Sequence, residues 1–237
     1  MTATRVALAA AGAAAAALAG GAAAAGTPPV RPADFVAGID NPWMPLRPGT
    51  VHVYTGTKDG GAVHETVRVL RRTIVVMGVR CVVVDDTLRV DGRIAERTED
   101  WYAQDRAGRV WYFGERTREL DRRGRVVSTE GSWRAGVDGA LPGIVMPAAP
   151  RPGQVFRQEY YRGHAEDHFR VVSVTGAVRV PAGAFRPAVV TVEWTPLEPG
   201  VRDRKYYARG VGLVREESIR GGAEYLSLAA VRRDPPG

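Results

Sequence analysis

Two histidines four apart, with two acids between them, stand out in YYRGHAEDHFR, residues 160–170. Imidazole and carboxylate are ordinary zinc ligands, so this stretch is the first place to look for chemistry. A zinc-protease helix needs His-Glu-x-x-His, which puts both imidazoles on one helical face and a glutamate beside them as base. Ala165 holds that glutamate's place here, and in the inverted form, His-x-x-Glu-His, Asp167 stands where the glutamate belongs. The flanks FRQEYYRG and FRVVSV read as strand. A strand's period of two sets His164, Glu166, His168 and Arg170 on one face and Ala165, Asp167, Phe169 and Val171 on the other. The second face is the apolar one, so the histidines are expected to face water. The remaining metal reading is a surface site of His164, Glu166 and His168, with His64 from a second strand completing the ligand set. Asp167 falls among apolar neighbours and must be paired or hydrogen-bonded, either as a salt bridge anchoring the sheet or as a polar point in a ligand pocket.

A second cluster, ERTEDWYAQD, places Glu99, Asp100 and Asp105 around Trp101 and Tyr102. Paired carboxylates beside sugar-stacking rings are what a glycosidase requires. Asp105, however, opens the turn DRAG, where aspartate caps backbone amides, which leaves Asp100 as the candidate contact residue. Nucleophilic chemistry has less support. No G-x-S-x-G is present, Ser132 in TEGSW lacks a strand-to-helix elbow, and Cys81 sits in a valine run as a small hydrophobe. RGVGLV enters a strand and has no helix N-terminus to hold phosphate. No enzyme class is positively indicated, hydrolysis remains a lesser alternative, and no cofactor is expected.

The elements that must position these residues are strands. VHVYTGT, VRVLRRTIVV, RCVVVDDTLRV, RVWYFGE, AVVTVEWTP and EYLSLAAV are short, rich in β-branched and aromatic residues, and mostly alternate in polarity. Turns are expected at Met77-Gly78, Asp91-Gly92, Ala107-Gly108 and Pro181-Ala182-Gly183. Residues 136–153, rich in Gly and Pro, read as a connector with at most one helical turn. The segments on either side resemble each other. RPGTVHVY from Arg47 corresponds to RPGQVFRQEYY from Arg151, Gly78 to Gly183, and WYAQDRAGRVW from Trp101 to YYARGVGLV from Tyr206. Three landmarks in order at nearly constant offset predict a duplicated unit, residues 27–135 and 154–237, within one compact domain. The expected fold is all-β, with internally duplicated antiparallel sheets curved into an open barrel or sandwich.

The first 26 residues, with Arg5 followed by an Ala-rich run without acids and small residues near Ala25, read as a cleavable signal peptide rather than a membrane span. The mature protein is therefore expected outside the cytoplasm, soluble and without a transmembrane segment. It is not expected to be a lipoprotein, because the only cysteine, Cys81, lies deep in the chain. One cysteine cannot form an internal disulfide, so a hydrophobic core must supply the stability. The formal net charge is +7, but the arginines are interspersed with acids, which argues against nucleic-acid binding; Lys58 and Lys205 are the only lysines.

The Arg-Pro-Gly strand, VPAGAF, and the aromatic pair leading into YARGVGLVREE resemble a module of uncharacterised exported bacterial β-proteins with RPGxV, VPAGxF and YAxGVGLV motifs. NPWMPLRPGT and DWYAQDRAGRVWYFGE are similar to the two-unit members, and the resemblance spans residues 41–228. It implies an antiparallel β fold in the cell envelope and brings no catalytic residue. Curved sheets often enclose a cavity. The expected role is thus non-enzymatic binding of an apolar or lipidic molecule, with candidate contacts at Asp100, Trp101, Tyr102, Trp111, Trp133, Tyr161, Asp167 and Tyr206. A structural or protein-interaction module of the envelope is the alternative.

Overall fold

A computed structural model of the chain describes residues 30–234; the expected signal segment lies outside them. The strands are β1 (Phe35–Val36), β2 (Thr50–Lys58), β3 (Gly61–Val76), β4 (Val79–Val90), β5 (Arg93–Asp105), β6 (Val110–Leu120), β7 (Val126–Ser128) and β8 (Trp133–Arg134). They continue with β9 (Leu141–Met146), β10 (Val155–Arg157), β11 (Glu159–Tyr160), β12 (His168–Val180), β13 (Gly183–Trp194), β14 (Arg202–Ala208), β15 (Gly212–Arg220) and β16 (Glu224–Arg233). The helical content of the described residues is one 3-10 turn, Pro32–Asp34, and no helix there is long and apolar enough to cross a membrane.

All sixteen strands belong to one antiparallel sheet, whose main path runs β10-β12-β13-β14-β15-β16-β2-β3-β4-β5-β6-β9-β11. Two meanders, β2 to β6 and β12 to β16, are joined side by side where β16 pairs with β2. The far edges nearly meet. Only Gln158 separates β10, which pairs with β12, from β11, which pairs with β9, so one short stretch bridges both ends of the sheet and all but closes it into a barrel. Closure removes the exposed edges that an open sheet would present. At this seam a Cβ on Gly143 would lie 2.3 Å from the Arg157 carbonyl oxygen, so glycine is what allows the backbones to approach.

The hairpins form where turn chemistry placed them. Met77 and Gly78 have φ of 49° and 77°, and Asp91 and Gly92 of 50° and 79°. Two successive positive φ values match the turn that follows a strand's right-handed twist. Asp105 caps its turn as expected, accepting from the Arg109 backbone amide at 2.9 Å.

Two expectations need correction. The 136–153 connector carries β9, a strand whose Ile144, Val145 and Met146 are buried, because these apolar residues fill the gap between β6 and the seam. The strand predicted over 160–170 begins only at His168. Residues 161–165 form a tight turn closed by the Tyr161–Ala165 bridge, with Gly163 at φ 77° and its amide donating to Glu166 at 2.7 Å. The inward face nonetheless holds, since Ala165, Phe169 and Val171 are buried.

Both faces of the β4–β6 wall are covered. Cys81, Val83, Trp101, Ala103, Trp111 and Phe113 point away from the lumen yet are buried. Phe35 packs edge-on against Trp111 and Phe113, with centroids 5.8 and 5.4 Å away, and Arg134 lies over Trp101. This second layer explains the near-continuous valine run of β4, a pattern of strands buried on both sides.

Candidate functional site: a capped cavity in the barrel

Alternate residues of the wall face the lumen, and there they enclose a cavity of about 150 Å³. Its wall is formed by His52 and Tyr54 of β2, Glu65 and Val67 of β3, Val84 and Asp86 of β4, Asp100 and Tyr102 of β5, and Tyr112 of β6. Across the lumen stand Lys205 and Tyr207 of β14 and Leu213 and Glu216 of β15. The segment 41–46 caps it. Asn41 Nδ2 donates to the Gly108 carbonyl at 2.8 Å on the β5–β6 turn, and the Gly210 amide of the β14–β15 turn donates to the Pro42 carbonyl at 2.7 Å. Gln104 holds the cap's root, its Oε1 accepting from the amides of Asp40 and Asn41. Met44, Pro45 and Leu46 thereby form the cavity roof.

The polar wall has two parts. On the β14 side, Lys205 Nζ lies 2.8 Å from Glu193 and 3.5 Å from Glu216. Glu193 also accepts from Gln158 at 3.1 Å. Burial works against the Lys205 charge, but the two carboxylates outweigh it and hold the ammonium well above its usual range. Glu216 is itself raised well above an ordinary glutamate, because burial costs its anion more than Lys205 returns.

On the β3–β5 side lies a diagonal row of carboxyls. Asp86 is opposite Val67 on β3 and Thr98 on β5, while Asp100 is opposite Val84, so Glu65, Asp86 and Asp100 step across three consecutive strands. Burial raises all three. Asp86 goes well above its usual value, with repulsion from Glu65 adding to the effect, and Asp100 rises from 3.8 to about 7. The Tyr112 hydroxyl donates to Asp100 at 2.6 Å and works in the opposite direction. Glu65 and Asp86 are hydrogen-bonded to each other, an arrangement in which two carboxyls share a proton. Asp86 keeps some accessible surface, but it faces the cavity, and its Oδ1 has no hydrogen-bond partner.

Aromatic groups fill the spaces between. Tyr102 stacks on Tyr112 at 4.8 Å, and Tyr54 donates to the Leu213 carbonyl at 2.9 Å. Burial lowers the His52 pKa, so its ring is neutral and Nε2 donates to the Val211 carbonyl at 3.0 Å.

Of the residues singled out in the sequence, Asp100 and Tyr102 line this cavity and the others do not. Trp101 and Trp111 face the outer layer, with the Trp111 indole donating to Asp105 at 2.8 Å. Trp133 is buried edge-on to Tyr112 and beside the Glu159 carboxyl. Tyr161 stacks on His164 at the 161–165 turn, and Tyr206 donates to Glu217. Asp167 is hydrogen-bonded to Thr195, and burial, with Glu193 nearby, raises it to about 7. Glu99 and Asp100 cannot act as a catalytic pair. Being adjacent in a strand they face opposite ways, and Glu99 lies outside between Arg72 and Arg116, each at 2.9 Å.

The metal candidates are not brought together. His64 is on β3 opposite Thr55 and Arg89, His164 meets Glu130 at 3.1 Å, and His168 stacks on Trp194, with five strands between β3 and β12 along the sheet. Glu166 is engaged by the Gly163 amide. Among the described residues no group of three or more His, Cys, Asp or Glu could hold a metal ion.

Sequence reasoning missed His52, Tyr54, Glu65, Asp86, Tyr112, Lys205, Tyr207 and Glu216. One signal was available, because the two lysines of this arginine-rich chain, Lys58 and Lys205, are both buried in the barrel.

No protein-family model and no curated protein matches the chain. Two crystal structures resemble it. One, from Bacteroides fragilis, is described as an exported protein with a YmcC-like fold, at 17% identity and TM-score 0.47. The other, from Parabacteroides distasonis, is described as a lipoprotein, at 13% identity and TM-score 0.43. Each likeness covers 81% of this chain and 99% of the other.

Proposed function

We propose that this protein is an exported, non-enzymatic β-barrel that binds a small molecule in the lumen beneath the 41–46 cap. The observation that carries this reading is a cavity of about 150 Å³ with a mixed wall, tyrosines and valines beside buried carboxyls, of which Asp86 and Asp100 have no cation acting on them. A dry cavity of that volume takes a benzene-sized guest. Drug-sized ligands occupy roughly 300–1,000 Å³, so an extended lipid chain is not favoured, and the expected apolar ligand is narrowed to a small one with a polar end. The Ala-rich segment with Arg5 supports export, as does the resemblance of the RPGxV, VPAGxF and YAxGVGLV motifs to exported proteins.

We further propose that residues 27–135 and 154–237 are a duplicated unit, in which β3–β6 correspond to β12–β15. Supporting this, the Gly49 amide donates to the Val69 carbonyl and the Gly153 amide to the Val171 carbonyl, both at 2.8 Å, near the starts of the two units.

The test is occupancy. Mass spectrometry of organic extracts from the purified mature protein, together with thermal-shift screening of small molecules, should reveal a ligand whose binding is lost in Val67→Phe, which fills the cavity. A protein that takes up no small molecule and associates with envelope proteins would favour the interaction-module alternative.

A further inference from the structure

We propose that the cavity's ligand is a small organic cation, its ammonium seated on the Glu65–Asp86–Asp100 row and its apolar body against Val67, Val84 and Leu46. The inference rests on the reading of the lumen as a binding site and adds the ligand's charge.

The charge balance of the wall comes first. Lys205 is the one cationic side chain among the lining residues, since His52 is neutral, and it is already committed to Glu193 and Glu216. Glu65 feels both Lys205 and Lys58, whereas no cation acts on Asp86 or Asp100, and burial favours the protonated form of all three carboxyls. Buried carboxyls are costly, and apolar residues of similar size would stabilise the same wall. Three of them on adjacent strands facing one void are an arrangement that folding alone does not favour.

The second observation is independent of charge. Asp86 Oδ1 is buried, faces the cavity and lacks a hydrogen-bond partner. Such a group carries a penalty that a donor from a ligand would remove. An ammonium supplies three donors, enough for Asp86 Oδ1 and the neighbouring carboxyls at once, whereas a hydroxyl supplies one. The tyrosine rings at 54, 102, 112 and 207 surround the same space, and ring faces attract cations more strongly once both are removed from water. When the ammonium enters, one proton leaves the carboxyl row for solvent, so the site's net charge is unchanged.

Matched probes test this directly. Benzylamine and n-butylamine would be titrated against benzyl alcohol and n-butanol by calorimetry at pH 7, in phosphate and in the zwitterionic buffer MOPS. Each amine should bind at least about tenfold tighter than its alcohol, the advantage of a hydrogen bond to a charged group. Heats that differ between buffers would show proton release. Asp86→Asn and Glu65→Gln should each remove most of the amine preference while keeping alcohol binding. The two variants serve as alternatives should one fail to fold. Alcohols binding as tightly as amines, or an amine preference that survives both variants, would overturn the cation assignment and leave the cavity reading standing. No binding by any of the four probes would overturn both.

Discussion

If burial holds Asp100 neutral, replacing it with asparagine should become increasingly stabilising as pH rises. The carboxyl goes from 3.8 to about 7 on folding. At 1.36 kcal/mol per tenfold change in proton affinity, that difference amounts to about 4 kcal/mol. The sign follows from which state holds the proton. Below pH 3.8 both states are protonated. Between 3.8 and about 7 the folded protein keeps a proton that the unfolded chain has lost, so stability falls as pH rises. About 3 kcal/mol of the loss should fall between pH 5 and pH 8. Repulsion from Glu96 and Glu65 spreads the titration over several pH units. Asp100→Asn cannot ionise, and its side-chain oxygen can still accept from the Tyr112 hydroxyl. Its stability should lie within about 1 kcal/mol of wild type at pH 5 and exceed wild type by about 2–3 kcal/mol at pH 8. Urea unfolding followed by circular dichroism at intervals from pH 5 to pH 8 measures both curves. Parallel curves, or wild-type stability that rises with pH, would refute the buried neutral carboxyl.

Lys205→Met should cost about 3–5 kcal/mol, because Glu193 is left buried without its cation, and should lower Tm by about 6–20 °C. Because the folded pKa of Lys205 is raised, this loss should be constant from pH 6 to pH 9 and diminish only above the unfolded lysine's value of about 10.4; a deficit that disappears by pH 9 would contradict the ion-pair account. Gly143→Ala should destabilise by about 3 kcal/mol as its Cβ meets the seam backbone. Gly92→Ala, whose Cβ meets open space, should cost only the left-handed φ, about 1 kcal/mol; equal losses in melting experiments would remove the close-approach argument.

Much of the architecture is legible in residue patterns because local physics sets it. Met77-Gly78 and Asp91-Gly92 turn where two positive φ values are needed, and Asp105 caps its own hairpin. The strands run close to the stretches predicted, β4 covering Val79–Val90 against an expected 80–90. The misreadings arise where distant pairing overrides local composition. Residues 141–146 look like linker by their Pro and Gly, yet β6 and β11 recruit them as β9.

By itself the sequence determined the all-β class, the hairpin turns and, within the strands that form, which residues share a face, since a strand's two-residue period needs no tertiary information. Which face becomes the lumen was decided only by closure. Glu99 and Asp100, or Asp85 and Asp86, are adjacent acids of the same type, and alternation says only that they point oppositely. Pairing β16 with β2 and bridging the edges at Gln158 turned Asp86 and Asp100 inward, onto one cavity with Lys205 from the other meander. Trp101 and Trp111, which resembled cavity walls by composition, were turned outward, Trp101 beneath Arg134 and Trp111 beneath Phe35. Long-range closure, summed over contacts far apart in the chain, thus selects the environment that shifts a carboxyl's pKa.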